Sequence, residues 1–341
     1  MRIVGGLDVH RAQITFDYVD LDTGDVETGR VEPATRSEFR RWLTRFSDVD
    51  DAVFATEGCT GWRFVVEELE RAGIEAHLAE PADTAMLRGR KKRAKTDRGD
   101  ARHLRQLLID GRIPESWIAP SHVLDVRTKA RLYLALMDQR RAWQQRIQAM
   151  LFHEGVEKHS SLLTEEGRAR LCEAELSGTG RQYVDTALRV IDLTSIEADL
   201  IRNELVAFAR THPGPRVLWE NLYGVGELTG AIIWAEMGDT RRFSSSAKAV
   251  RHTGLDITVW SSDTKRPPGK LSRQGPPALR WALYEAALTS SRKTSPDHDY
   301  YLEVKERLGA KRAFLSVARK LARKVHHLLR DLDDAAYDLA A

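Results

Sequence analysis

The 341-residue chain has only two cysteines, Cys59 and Cys172, too few for a disulfide framework or a structural zinc site. A reducing, cytoplasmic setting is therefore expected. No run approaches the roughly 18 apolar residues that span a bilayer. The opening MRIVGGL also lacks the apolar stretch and small-residue cleavage site of a signal peptide. No membrane partner is expected. Internal repeats, low-complexity tracts, a Ser/His/Asp triad and a nucleotide-binding loop are likewise missing from the pattern. The chain has no large excess of charge of either sign. A net +3 does not diagnose a nucleic-acid binder, so the distribution of charge carries the argument instead.

That distribution is uneven. Between Met86 and Arg105 nine basic residues, Arg88, Arg90, Lys91, Lys92, Arg93, Lys95, Arg98, Arg102 and Arg105, surround two acids, Asp97 and Asp100. Such a patch suits a polyanion, and its first members, Arg88 to Lys95, are candidates for nucleic-acid contact. A second basic stretch includes Lys311, Arg312, Arg319, Lys320, Arg323 and Lys324. Either run alone also fits a solvated helix face.

RIVGGLDVH followed by AQITFDYVD reads as a strand hairpin, and GDVETGRVEP as a third strand. Phe39, Trp42 and Phe46 stand at helical spacing with Ser37 as the expected N-cap. DAVFATEG is a strand ending at Glu57, Trp62 to Ala72 a helix, and IEAHLAE a further strand. A mixed α/β sheet domain is expected over about residues 1–120. Helices follow over 121–212. Leu136, Trp143 and Met150 repeat every seven residues beside Tyr133, Arg140 and Ile147, as in a helical hairpin or short coiled coil, with SGTGR from Ser177 as its turn. His212-Pro-Gly-Pro215 stops that helix and opens a mostly α-helical region over 213–341, where Gly224 and Gly226 bracket a turn into a helix near Glu227.

Four carboxylates are placed suggestively. Asp8 lies in the first strand and Glu57 ends a later one, so the two meet if those strands are neighbours. Asp97 and Asp100 are three apart and share a helix face. Carboxylate oxygens are hard ligands suited to Mg2+, and such clusters hold the ion pair used in two-metal phosphoryl transfer. The surrounding lysines and arginines would hold a nucleic-acid backbone and would lower the acids' pKa values. Singly, an acid near a strand end is usually a cap or turn residue; four arranged along one sheet domain are less easily read that way.

The segments GLDVH, ATEG, KTDRGDARHL, GVGELTGAIIWAEMGDTRRFSSSAKAVRHTGL and GKLSRQGPPALRWALYEAA together resemble the DEDD transposases of insertion sequence family 110, the bridge-RNA-guided recombinases. The resemblance runs across nearly the whole chain. It implies an N-terminal RuvC-like domain of the ribonuclease-H fold, a coiled coil, and a C-terminal transposase domain. It places the acidic tetrad at Asp8, Glu57, Asp97 and Asp100 and a nucleophilic serine at Ser262, beside Ser261. It further implies Mg2+, donor and target DNA, a structured guide RNA, and a homo-oligomer, dimer or tetramer. The chain departs from the family's pattern at Asp256-Ile257, where relatives carry Thr-Pro, at Asp263, where relatives often carry glycine, and after Glu57, where the common Ala-Thr-Gly gives way to Gly58-Cys59-Thr60-Gly61.

Two other readings stand beside this one. A metal-dependent ribonuclease-H-fold nuclease or Holliday-junction resolvase uses the tetrad alone and forms no covalent intermediate, but leaves the serine-bearing loop flanked by Lys265, Arg266, Lys270 and Arg273 without a role. A non-catalytic scaffold uses the basic runs and treats the acids as caps.

Overall fold

The computed structural model describes residues 2–88, 96–258 and 269–338. They form two compact units, one ending at Ile118 and the other beginning at Ala119.

The first unit is a mixed α/β sheet domain. Its elements are β1 (Arg2–Val9), β2 (Ile14–Asp20), β3 (Val26–Val31), α1 (Arg36–Leu43), β4 (Asp51–Glu57), α2 (Trp62–Arg71), β5 (Glu75–Ala79), α3 (Pro81–Leu87) and α4 (Asp97–Ile109). The sheet order is β3-β2-β1-β4-β5. The first three strands pair antiparallel, whereas β4 and β5 join β1 in parallel. Parallel strands need crossovers, and α2 supplies the one between β4 and β5.

Strand alternation divides the β1 side chains between two layers. Ile3 and Leu7 join Phe16, Phe39, Trp42, Phe46, Phe54, Val65 and Leu69 in an aromatic-rich core under α1 and α2. The opposite face meets α4 through Ala55, Ala79 and Leu104. Phe39, Trp42 and Phe46 turn inward as their spacing predicts. The N-cap is Thr35 rather than Ser37: its side chain accepts from the Glu38 N–H, and Ser37 already lies inside the helix.

The second unit is helical. It comprises α5 (Ser121–His153), α6 (Glu165–Glu173), α7 (Gly178–Thr211), α8 (Pro213–Asn221), α9 (Glu227–Met237), α10 (Ser246–His252), the two-residue strands β6 (Ile257–Thr258) and β7 (Lys270–Leu271), α11 (Pro277–Leu288), α12 (His298–Leu308) and α13 (Ala310–Asp331). Helices α5 and α7 pack on each other, and both also touch α9. The stripe that α5 buries is Val123, Val126, Ala130, Tyr133, Ile147 and Leu151. Leu136, Trp143 and Met150 are only partly buried, so the deeper seam is the adjoining one. SGTGR is not a turn. Ser177 caps α7 by accepting from the Gly180 N–H, Glu154 accepts from Ser177 in turn, and residues 178–181 are already helical. The connection between the long helices instead contains α6, capped by Thr164.

His212 ends α7, where the His-Pro-Gly-Pro sequence predicts a stop, and its ring nitrogen also caps α8 by accepting from the Gly214 N–H. Helix α9 is buried from Gly230 to Met237, as befits a segment apolar on every side. Much of the second basic stretch serves packing: Lys320 and Lys324 pair with buried Asp297, and Arg319 donates to the Leu255 carbonyl. Among the described residues no helix is long and apolar enough to cross a membrane.

Candidate functional site

Backbone pairing brings the first two acids together. Leu7 pairs with Thr56 in the parallel β1–β4 ladder, so Asp8 and Glu57, the next residue on each strand, end side by side on the face that α4 covers. The other two acids come with α4. Thr96 caps that helix by accepting from the Gly99 N–H, which puts Asp97 and Asp100 in the first turn, where the helix dipole favours negative charge. Close seating of α4 depends on Gly6: a Cβ there would lie 2.1 Å from the Ala101 carbonyl oxygen and 2.7 Å from the Arg105 nitrogen. Fully buried Asp17 on β2 anchors the same helix, with Arg105 Nε 2.6 Å and Arg102 Nε 3.5 Å from its carboxylate.

Asp8, Glu57 and Asp100 line a cleft of about 730 Å³ together with His10, Arg11 and Phe64. Asp97 is not among the lining residues and joins the group through His10 and Gln13. His10 Nε2 lies 3.1 Å from Asp8 Oδ2 and 3.8 Å from Asp97 Oδ1, and Gln13 donates to Asp97 Oδ2 at 3.0 Å. Arg88 bonds Asp100 and lies 3.6 Å from Glu57 Oε1. It therefore sits across two of the acids rather than pointing away from them.

Cations were expected to lower the acids' pKa values, but for Asp8 the shift runs upward. Burial is the largest cause, the Asp100 and Asp97 charges add to it, and His10 opposes it. Carboxylates gathered this closely repel one another, so a bound cation would relieve that repulsion. Hard oxygen donors converging from three elements suit a divalent ion, and Asp8, His10 and Asp97 place one ligand atom each within 4.8 Å of one another.

His10 and Gln13 are the members that sequence reading missed. Both lie in the polar turn between β1 and β2, at the strand end where Asp8 sits, which is the signal that could have found them. Cys59 packs against the aromatic core and donates to the Val9 carbonyl, and burial pushes its thiol pKa up.

Ser261 and Ser262 lie outside the described residues, as do Arg90, Lys91, Lys92, Arg93 and Lys95. The chain on either side of the serines is described. Thr258 of β6 pairs with Lys270 of β7, the Arg273 N–H donates to the Gly254 carbonyl, and the Ser272 hydroxyl bonds Asp256. Arg273 has a positive φ of 55° and, like Lys270, is exposed. Gly275 lies so close to His252 that a Cβ there would meet its carbonyl oxygen at 2.1 Å. The Ser-Arg-Gln-Gly block thus packs against His252, Gly254 and Asp256, and Asp256, one of the departures from the family pattern, supplies part of the clasp.

Two family models match. One is a transposase model named for DEDD residues and insertion sequence IS110, covering residues 5–153 and so all four acids. The other, described as transposase IS116/IS110/IS902 family, covers residues 218–302. "Putative transposase y4rJ" of Sinorhizobium fredii is 27% identical over 245 residues, 64% of this chain and 60% of that protein. "Insertion element IS116 uncharacterized 44.8 kDa protein" of Streptomyces clavuligerus is 31% identical over 117 residues, 33% of this chain and 28% of that protein. The matched stretches thus span less than two thirds of either relative.

Proposed function

Since the chain belongs to the IS110 family of transposases, we propose that it is an insertion-sequence recombinase that cuts and rejoins DNA strands through a metal-binding tetrad and a serine nucleophile. In this reading the RuvC-like ribonuclease-H-fold domain over 1–120 carries Asp8, Glu57, Asp97 and Asp100. Residues 121–212 form the helical coiled-coil region, and 213–341 the transposase domain with Ser262. The observation that carries the proposal is the convergence of Asp8, Glu57 and Asp100, from β1, β4 and α4, on one cleft, with Asp97 brought beside Asp8 through His10.

The four acids would hold Mg2+, which when bound supplies charge neutralisation to the oxygens of a reacting phosphodiester. The chain's own groups prepare the place. The β1–β4 ladder fixes the spacing of Asp8 and Glu57, Gln13 orients Asp97, and Arg88 offsets charge on Glu57 and Asp100. Ser262 supplies the nucleophile. Its hydroxyl oxygen bonds to phosphorus as the bond from phosphorus to the leaving deoxyribose oxygen breaks; the hydroxyl proton passes to a base, and the leaving oxygen takes up a proton. The phosphoserine ester keeps the strand attached, and attack by a deoxyribose hydroxyl reverses the bookkeeping to rejoin it. A structured guide RNA would select donor and target DNA by base pairing, leaving the protein to read backbone and duplex shape. Arg88, Arg90, Lys91, Lys92, Arg93, Lys95, Lys270 and Arg273 would contact phosphates. The working form would be a homo-oligomer in the cytoplasm.

Purified protein, RNA transcribed from DNA flanking its gene, labelled junction DNA and Mg2+ should yield a denaturant-resistant protein–DNA adduct. The adduct should survive Ser261→Ala and disappear with Ser262→Ala, Asp8→Ala and Asp97→Ala. Metal-dependent cutting without any adduct would point to the nuclease or resolvase instead.

A further inference from the structure

Resting on the reading of this cleft as a dication site, we propose that His10 is itself a ligand, and that its nitrogen gives the site a preference for first-row transition dications such as Mn2+ over Mg2+. The cleft is chemically asymmetric. On one side Arg88 engages Asp100 and lies near Glu57. On the other, Asp8, His10 and Asp97 bring two carboxylate oxygens and one imidazole nitrogen within 4.8 Å of one another.

The donor atoms are oriented for sharing. Gln13 takes Asp97 Oδ2, and Oδ1 is the oxygen near His10. Adjacent ligands of one six-coordinate ion with bonds of about 2.1 Å lie about 3 Å apart, and opposite ones about 4.2 Å apart. The 3.1 Å from His10 Nε2 to Asp8 Oδ2 fits an adjacent pair, and the 3.8 Å to Asp97 Oδ1 falls between the two arrangements. The His10 side chain is 53% exposed, so solvent and ions reach it directly. Imidazole is a poor ligand for Mg2+, which takes oxygen donors and keeps its waters, whereas first-row transition ions accept it readily. The nitrogen therefore separates ions that the carboxylates alone would treat alike.

The competing role for His10 is a hydrogen bond that merely orients Asp8, and the two predict different spectra. The full chain is loaded with Mn2+, its affinity measured by titration, and the bound ion examined by pulsed electron paramagnetic resonance for nitrogen coupling. Wild type should show coupling to one histidine nitrogen. His10→Gln should lose that coupling and bind Mn2+ about tenfold more weakly, a loss typical of an impaired metal shell. Its Mg2+ affinity, measured by competition, should change by less than about twofold, since Mg2+ draws little from nitrogen. His10→Asp, an oxygen donor at the same place, should restore dication binding without nitrogen coupling. Bound Mn2+ lacking nitrogen coupling in wild type, or equal Mn2+ affinity in His10→Gln, overturns His10 as a ligand while leaving a carboxylate site standing. Mn2+ binding that is absent from wild type, or unchanged in an Asp8→Asn, Asp97→Asn double variant, overturns the cleft as a dication site and the His10 proposal with it.

Discussion

Gly6 and Ala101 approach so closely that a methyl group at position 6 would overlap the Ala101 carbonyl oxygen, at 2.1 Å. The neighbour is helix backbone, which cannot swing aside like a side chain. Gly6→Ala should therefore push α4 off β1 and destabilise the first unit by about 1–3 kcal/mol, the usual range for overpacking. Because α4 carries Asp97 and Asp100, dication affinity should fall as well. Urea midpoints and metal titrations on the same preparation check both, and a variant with wild-type values for each would show that α4 seats by some other contact.

Asp17 is fully buried against Arg105, an ion pair that ties β2 to α4. Asp17→Asn leaves a guanidinium without its counter-charge, which at buried positions costs about 3–5 kcal/mol. Replacing both partners, Asp17→Leu with Arg105→Leu, should recover much of that loss. Chemical denaturation of the two singles and the double gives the coupling directly.

Glu68, fully buried on α2, accepts from Arg36, Arg40 and Arg71. The Arg40 hydrogen bond, the largest cause, helps bring its pKa from 4.5 down to about 2. A depressed carboxylate contributes stability above its unfolded pKa and loses it as pH falls through the folded one. The window is thus pH 4.5 to about 2. The arginines are about half exposed, so solvent screening reduces the contribution to about 1–2 kcal/mol. Glu68→Gln should flatten that part of the acid unfolding curve.

His212 titrates the other way round. It is buried among His122, Phe208 and Trp234, and its Nδ1 accepts from the Gly214 N–H at 3.2 Å. Burial chiefly, with the His122 charge adding, lowers its pKa from 6.5 to about 4, against the opposing pull of Asp338. Above pH 6.5 the neutral ring costs nothing in either state. As pH falls from 6.5 to about 4 the unfolded chain takes up a proton that the folded one refuses, so the second unit loses stability. His252, lowered to about 4 chiefly by burial, adds to the same window. His212→Asn keeps a side chain that caps helices well and removes the titration. Its melting temperature should depend less on pH between 6.5 and 4 than that of the wild type.

Salt tests the basic residues. If they neutralise phosphates, affinity for RNA and DNA should fall steeply between low and moderate salt, with a shallower slope once Lys270 and Arg273 become alanine. Flat salt dependence would remove these residues from the proposed interface.

Local signals account for most of the first unit. The strand-terminal carboxylates and the i, i+3 pair behind Thr96 could be read because each depends on one strand end or one helix turn. The same strand end offered His10 beside Asp8, but not its second partner. The approach of His10 to Asp97 joins residues 87 positions apart and depends on how α4 lies across the sheet. Arg88 looked like one more member of a basic run, and only the fold turns it back onto Glu57 and Asp100. On α5 two interleaved series share the heptad spacing, and which one is buried is decided by what packs against the helix. Helix α6 buries only Gly167 and Leu171, so residues 165–173 show no apolar periodicity from which to read it.

The matched ends of β1 and β4 bear on how such a protein can change over generations. Asp8 and Glu57 stand together because two strands are in step, and a strand slipped by one residue turns every side chain to the other face. Insertions in the exposed turn between β2 and β3 leave that step untouched. One residue added within β4 would carry Glu57 toward the aromatic core. Length differences among descendants of this sequence should therefore collect in the turns, while the two strands keep their residue count even where nearly every side chain in them has been exchanged.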